Sequence, residues 1–306
     1  MLVADIAWLK LLALPAIRAA IVNFLRLGRG GFEPAGGSEE QQRDAFDYAA
    51  TFPDKIKSPN GTSYEGLVLA MNPIFWPGGV PDPAAGNEGA RCKSWHYYDT
   101  PIRYHNPPPT PWPSSLKLSW AEATGRVREL ALNQYSGPQF AGFSEDDLRF
   151  WWLGWLLHLA GDAHQPLHCA TSCARFPAGD HGGNTFKLAQ HQSLHGLWDG
   201  MLVTAAQDDG FDIASVEHAN GSMSAILAPV ASQWLGQFSP AEGAGSLEIS
   251  AWIEEGAAAA DSVVYTGITE EQAPSTTYLG DAMGYARPAV VRAGLRLAAT
   301  LEQMFS

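Results

Sequence analysis

Two stretches of the chain place histidine and aspartate where both can reach one ion. His158 and Asp162 lie four apart in HLAGDAHQPLH (158–168), and His195 and Asp199 repeat that spacing in HGLWD (195–199). Residues four apart on a helix project from one face, one turn apart, which suits two ligands of a single metal. His168 sits just past Pro166, where the chain can turn back towards the same pocket. A mixture of imidazole nitrogen and carboxylate oxygen favours zinc, and without a cysteine pair the set does not read as a closed structural site. The chemistry to expect is that of a catalytic ion with room for substrate.

A single histidine on an apolar helix is more often a hydrogen-bonded core residue than a ligand. Here the pattern repeats inside 42 residues, among Trp and Leu that would otherwise bury the carboxylates unpaired. Of the nine histidines, none precedes His96 and six fall between His158 and His195. His164 is two residues from Asp162 and so lies on another face; it reads as a packing residue or as support for a ligand. Trp151, Trp152 and Trp155 read as core. His105, His191 and His218 lack partners at ligand spacing and read as surface residues.

The elements that must carry these groups are helical. Val3, Ile6, Ala7 and Leu11 form one apolar stripe, and Ile17, Ile21, Phe24 and Leu25 a second beyond Pro15. A helix is expected from Glu39 to about Ala50, and a strong one from Leu148 to Ala163, with Ser144 as N-cap and acids in its first turn. Further helices are expected over His195 to Ala206, Ser222 to Trp234, Ser246 to Thr266 and Pro288 to Phe305. Segments 58–94 and 100–114 are rich in Pro, Gly and Asn and read as long loops; Gly182 to Leu188 reads as a possible short strand. The expected fold is all-α: one mainly helical domain over 1–306, with long loops and at most a short strand pair.

Composition narrows the function. Of 306 residues, 46% are hydrophobic and 17% charged, which excludes disorder. The net charge of -13 argues against gripping duplex phosphates through a broad basic face; phosphate chemistry would need metal cations. Three cysteines, Cys92, Cys169 and Cys173, cannot build a disulfide framework. The opening MLVADIAWLKLLALPAIRAA has no basic leader region or cleavage site and is interrupted by Lys10 and Arg18, so it reads as neither signal peptide nor membrane span.

Taken in order, these motifs resemble the zinc-dependent single-strand nucleases and 3'-nucleotidases of the S1/P1 family, relatives of zinc phospholipase C. His-x3-Asp-x5-His followed by His-x3-Asp carries the resemblance. WHYYD (95–99) looks like the family's His-aromatic-x-Asp motif, ATFPDKIK (50–57) like the segment holding a further aspartate ligand, and WIEEGAAAADSVVY (252–265) and AGLRLAATLEQ (293–303) like family helices. The resemblance implies three zinc ions in one cleft. Asp54, His96, His158 and Asp162 would hold the first, and His168, His195 and Asp199 the second, with Asp162 also reaching the third. Asp54 and Asp162 would then be catalytic in a metal centre that activates water and clamps a phosphate. Lys57, Tyr97, Asp99 and Asn184 would meet the substrate, single-stranded DNA or RNA, with Tyr97 stacking on a base and Asn184 in the Gly182-Gly183-Asn184 turn.

In the family the third ion is held by the α-amino and carbonyl groups of an N-terminal Trp and by a His in a Trp-Gly-x-x-Gly-His start. Met-Leu-Val-Ala-Asp-Ile-Ala-Trp resembles the text that follows that His, so two ions are expected from the residues present and the third site is incomplete. Either translation starts upstream of Met1, with a leader that would make the enzyme secreted or periplasmic, or the third site has been lost. Two other functions fit part of the pattern. Phospholipase C chemistry usually ends on Glu where this chain has Asp199, and a zinc-binding domain without catalysis would bind metal and hydrolyse nothing.

Overall fold

The computed structural model describes residues 1–26, 36–55, 95–104, 116–137, 144–214, 223–241 and 243–306. Ten α-helices and one two-stranded sheet are found among them, in keeping with the all-α expectation. In chain order they are α1 (Leu2–Leu11), α2 (Pro15–Phe24), α3 (Glu39–Lys55), β1 (Thr100–Ile102), α4 (Leu116–Ala131), α5 (Glu145–Asp162), β2 (Ala170–Ser172), α6 (Leu194–Asp199), α7 (Met201–Asp208), α8 (Met223–Phe238), α9 (Ile249–Ala259) and α10 (Thr276–Phe305). Among the described residues, no helix is long and apolar enough to cross a membrane.

Two helices that are apolar on nearly every side, α1 and α5, form the centre, as helices of that kind must. Ile6, Trp8 and Leu11 of α1, Trp151, Trp152 and Trp155 of α5, Phe46 and Phe52 of α3, and Leu297 and Leu301 of α10 are all buried in one core. Ser144 begins α5 as expected: its Oγ accepts the Asp147 N–H at 3.2 Å while Asp147 accepts the Ser144 N–H at 2.7 Å. This reciprocal cap satisfies donors that the first turn would otherwise leave open. A firmly started α5 delivers its last two turns, with His158 and Asp162, to the edge of the core.

Several boundaries differ from the sequence expectation. The helix expected over 195–206 is two, α6 and α7, meeting at Gly200, a residue poorly suited to a helix interior. The helix expected over 246–266 leaves α geometry after Ala259 and widens into a π turn, Ala260–Val264. Arg103 donates there to the Tyr265 carbonyl at 2.7 Å and to the Asp261 carbonyl, taking up oxygens at the end of the element. Pro288 does not begin the last helix but lies inside it; Ser275 is the N-cap, its Oγ accepting from the Tyr278 N–H at 3.1 Å. No strand forms over 182–188, where Gly182 and Gly183 adopt φ of +59° and +77°, outside the extended region. The strand pair is instead β1 with β2, parallel, pairing Thr100 with Ala170 and Ile102 with Ser172. Of the two segments expected as loops, 58–94 lies outside the described residues, as does 105–114 of the second, whereas Thr100–Ile102 at its start is strand β1 because it pairs with β2.

Candidate metal centre

Five separate segments converge at the exposed end of α5. Asp54 comes from the last turn of α3, His96 from the segment before β1, His158 and Asp162 from α5, His168 from the short 3₁₀ turn Pro166–His168, and His195 and Asp199 from α6. The strand pair draws two of these segments together. The Tyr98 N–H donates to the His168 carbonyl at 2.7 Å and the Thr100 N–H to the Cys169 carbonyl at 3.2 Å, extending the β1–β2 ladder up to the histidines. A two-strand sheet of three residues each therefore sets the distance between His96 and His168.

The donor atoms form two groups, Asp54 with His96 and His158, and His168 with His195 and Asp199, each within 4.8 Å. Asp162 stands between them. Its Oδ2 is 2.8 Å from His96 Nδ1 and 3.2 Å from His158 Nε2, and its Oδ1 is 3.3 Å from His168 Nδ1. His158 Nε2 lies 3.6 Å from Asp54, and His195 Nε2 3.4 Å from Asp199. The His168 and His195 rings stack with centroids 5.0 Å apart. The sequence-derived ligands Asp54, His96, His158, Asp162, His168, His195 and Asp199 thus all lie in one place.

Orientation of the imidazoles fits metal binding. His158 Nδ1 donates to the Ala50 carbonyl at 2.8 Å, His168 Nδ1 lies 3.0 Å from the His96 carbonyl, and His195 Nδ1 donates to the Gly182 carbonyl at 2.8 Å. A histidine whose Nδ1–H is held by a carbonyl presents the Nε2 lone pair, the usual arrangement of metal-binding imidazoles. All three Nε2 atoms belong to the two clusters by this geometry. Gln165 Nε2 donates to Asp199 at 2.8 Å and steadies the carboxylate that has 51% of its side chain exposed.

Electrostatics supports the same use. Burial works to raise the Asp162 pKa, but His158, His168 and His96 hold it well below the usual carboxylate range. Asp199 is likewise lowered against its burial by His168 and His195. Burial, then the nearby His168, lowers His195, keeping its ring neutral and able to donate a lone pair. The nearby thiol of Cys169 is buried against the Ala163 carbonyl, and its pKa is pushed up by burial and by Asp162.

The clusters open into a cleft of about 670 Å³ lined by Asp54, His158, Asp162, His168, His195 and Asp199, with Leu157, Trp198, Met201 and Val290 on its apolar wall. Tyr97 is half-buried, and Asn184 is exposed with its Nδ2 donating to the His181 carbonyl at 2.8 Å. Asp99 is buried; burial, then Asp180, raises its pKa to about 7 while His168 opposes them. Lys57, His105, His218 and Cys92 lie outside the described residues. His191 is exposed, as expected. His164 supports rather than ligates: its Nδ1 donates to the Ala160 carbonyl at 2.7 Å and its Nε2 accepts from Arg296 at 2.9 Å. Sequence reasoning missed Gln165 and Asp180. Gln165 lies inside the string that carries the histidines, and Asp180 opens DHGGN, so their proximity in sequence was the available signal.

The sequence pattern of the S1/P1 nuclease family matches residues 1–306. Endonuclease 2 of Arabidopsis thaliana is 28% identical over 153 residues, 48% of this chain and 49% of that protein. The chain therefore spans about half the length of this curated relative. With the whole chain matched by that pattern, the protein belongs to the S1/P1 nuclease family.

Proposed function

We propose that this protein is a zinc-dependent nuclease that hydrolyses phosphodiester bonds in single-stranded DNA or RNA, with 3'-nucleotidase activity on the same site. The observation that carries the reading is the pair of three-donor clusters flanking Asp162 on the wall of one cleft. Asp54, His96, His158 and Asp162 would hold one ion, and His168, His195 and Asp199 another. Bound zinc would supply Lewis-acid charge to polarise the phosphoryl group and activate water.

The chain's own residues do the rest. Asp54 and Asp199, the two exposed carboxylates, stand at the mouth, while Asp162 compensates the charge at the centre. Tyr97 offers a stacking face, which single strands can use because their bases are unpaired. Asp99 and Asn184 offer polar groups to a base, and Lys57 a cation to the phosphate chain. The S1/P1 family match and the name of the Arabidopsis relative support this assignment. The same reading treats 1–306 as one domain and the enzyme as working outside the cytoplasm.

The test is metal analysis by mass spectrometry on natively purified protein together with a nuclease gel. About two zinc ions per chain, cleavage of single-stranded DNA or RNA in preference to duplex, and phosphate release from 3'-mononucleotides are expected. Hydrolysis of phosphatidylcholine without cleavage of nucleic acid would assign the site to phospholipase C chemistry instead, and zinc binding with no hydrolysis would make it a binding domain.

A further inference from the structure

The turn after β2 is costly to form and holds the His195 ring. His181, Gly182 and Gly183 take consecutive left-handed φ values of +55°, +59° and +77°. Such a conformation is unfavourable for histidine and persists only where surrounding contacts enforce it. Gly182 has no substitute there, since a Cβ would sit 2.3 Å from the Leu167 carbonyl oxygen. The result of this conformation is that the turn offers two successive carbonyls to α6. Gly182 O accepts from His195 Nδ1 at 2.8 Å, and Gly183 O from the His195 main-chain N–H at 3.3 Å.

One side chain holds the turn. Asp180 is buried, 3% exposed, and its Oδ1 accepts the Gly183 N–H at 3.0 Å, the Ser172 N–H at 3.0 Å and the Thr171 hydroxyl at 3.3 Å. Its Oδ2 accepts the Tyr265 hydroxyl at 2.6 Å, and its carbonyl accepts the Thr185 N–H at 3.1 Å. One carboxylate therefore ties β2, the left-handed turn and the end of the π turn together.

We infer that Asp180 is a positioning residue for the second ligand cluster: by fixing the 181–184 turn it holds the His195 ring in the Nδ1–H tautomer, with Nε2 turned to Asp199. Its metal consequence rests on the zinc reading above; its effect on His195 does not. β2 begins two residues after His168, so the same carboxylate also sets His195 against the His168 ring on which it stacks. Supports of this kind typically change metal affinity by roughly 10- to 100-fold when removed.

The test uses Asp180→Ala, Asp180→Asn and Tyr265→Phe in the full chain, with two readouts. In metal-free protein, histidine ¹⁵N spectra should show His195 as a single Nδ1–H tautomer in the wild type and as exchanging tautomers in Asp180→Ala. In zinc-loaded protein, release to a chromogenic chelator should show one of two ions weakened roughly 10- to 100-fold, the other unchanged, with His195→Ala marking which ion belongs to this cluster. Asp180→Asn keeps the Oδ1 acceptor and should rescue both readouts. Tyr265→Phe removes one support and should shift both in the same direction by a smaller factor; it decides the matter alone if Asp180→Ala does not fold. Unchanged tautomer and affinity in the folded variants would overturn the inference. A wild type that binds no zinc here would refute the metal reading instead, while the tautomer comparison would still decide the role of Asp180.

Discussion

Asp162, at the end of α5, points Oδ2 at His96 Nδ1 across 2.8 Å, tying α5 to the segment that leads into β1. Its other oxygen faces His168 at 3.3 Å, so one carboxylate touches both ligand clusters. With three imidazoles around it, this is the position at which a change of charge is felt most.

Asp162→Asn is therefore expected to abolish hydrolysis, by roughly a hundredfold or more, the scale on which comparable electrostatic groups act. Asn is nearly isosteric, so the far-UV circular dichroism should remain helical. Bound zinc should fall below two ions per chain. A variant that kept more than a few per cent of wild-type activity would remove Asp162 from the centre of the site.

Tyr97 should govern affinity rather than chemistry, because a stacked base is held equally in the ground and transition states. Stacking contributes about 1–3 kcal/mol per base, so Tyr97→Ala should raise KM by roughly 5- to 150-fold. Steady-state kinetics on a single-stranded oligonucleotide should show kcat nearly unchanged. A fall in kcat at constant KM would place Tyr97 among the groups that act on the phosphate.

The His-x3-Asp pairs were legible because helical periodicity is a short-range property: four residues along the chain fix one turn in space. Asp54 and His96 were legible only through family resemblance, since nothing local says that α3 and the segment before β1 end at the same cleft. The acceptors that orient the imidazoles are main-chain carbonyls of Ala50, His96 and Gly182, which any residue type supplies and which leave no trace in the sequence. Helix α4 went unseen because Gly125 and its mixed polar surface weaken the apolar stripe. The first part of α10 was hidden by Pro288, which normally marks a helix start; packing of α10 on α1 outweighs the one lost hydrogen bond.

Beneath the cleft, α3 and α1 bury two carboxylates with one guanidinium. Arg43 grips both oxygens of Asp5, while Asp47 lies fully buried beside them. Burial first, and then the Asp5 charge, raise Asp47 well above the usual carboxylate range, with the Met1 ammonium and then Arg43 opposing them. A carboxyl whose folded pKa exceeds its unfolded one binds more protons when folded, so it costs stability as pH rises above about 4. Asp47→Asn should accordingly be more stable than wild type at pH 8 and lose that advantage towards pH 4. Urea midpoints at both pH values decide it; an equal difference at the two pH values would show that Asp47 does not titrate in this way.

Gly294 lets α10 cross α1 closely. A Cβ there would come 2.4 Å from Ile6 Cγ2 and 3.1 Å from the Val3 carbonyl oxygen, so something in the core would have to move. Overpacking of this kind typically costs about 1–3 kcal/mol, more than the roughly 1 kcal/mol that alanine gains over glycine in a helix. Gly294→Ala should lower the midpoint of chemical unfolding with the ligand clusters intact. Stabilisation would mean that the two helices can separate at little cost.

On the proposed two-zinc reading, removing the metal should unfold the site from the inside out. Without cations, three carboxylates and four imidazoles crowd one cleft, and the carboxylate at its centre, Asp162, is left to its histidines alone. Each ion that binds only the folded chain adds about 4 kcal/mol when free zinc is a thousandfold above its dissociation constant. Two ions would then account for a fall in Tm of roughly 10 °C or more on chelation, given the shift per kcal/mol for a chain of this size. Zinc should restore both Tm and hydrolysis. Magnesium should restore neither, because it prefers an octahedral shell of oxygens and this site offers four nitrogens among its seven donors. Differential scanning calorimetry with chelator, zinc and magnesium in turn measures it, and a Tm indifferent to chelator would separate the stability of the fold from the metal altogether.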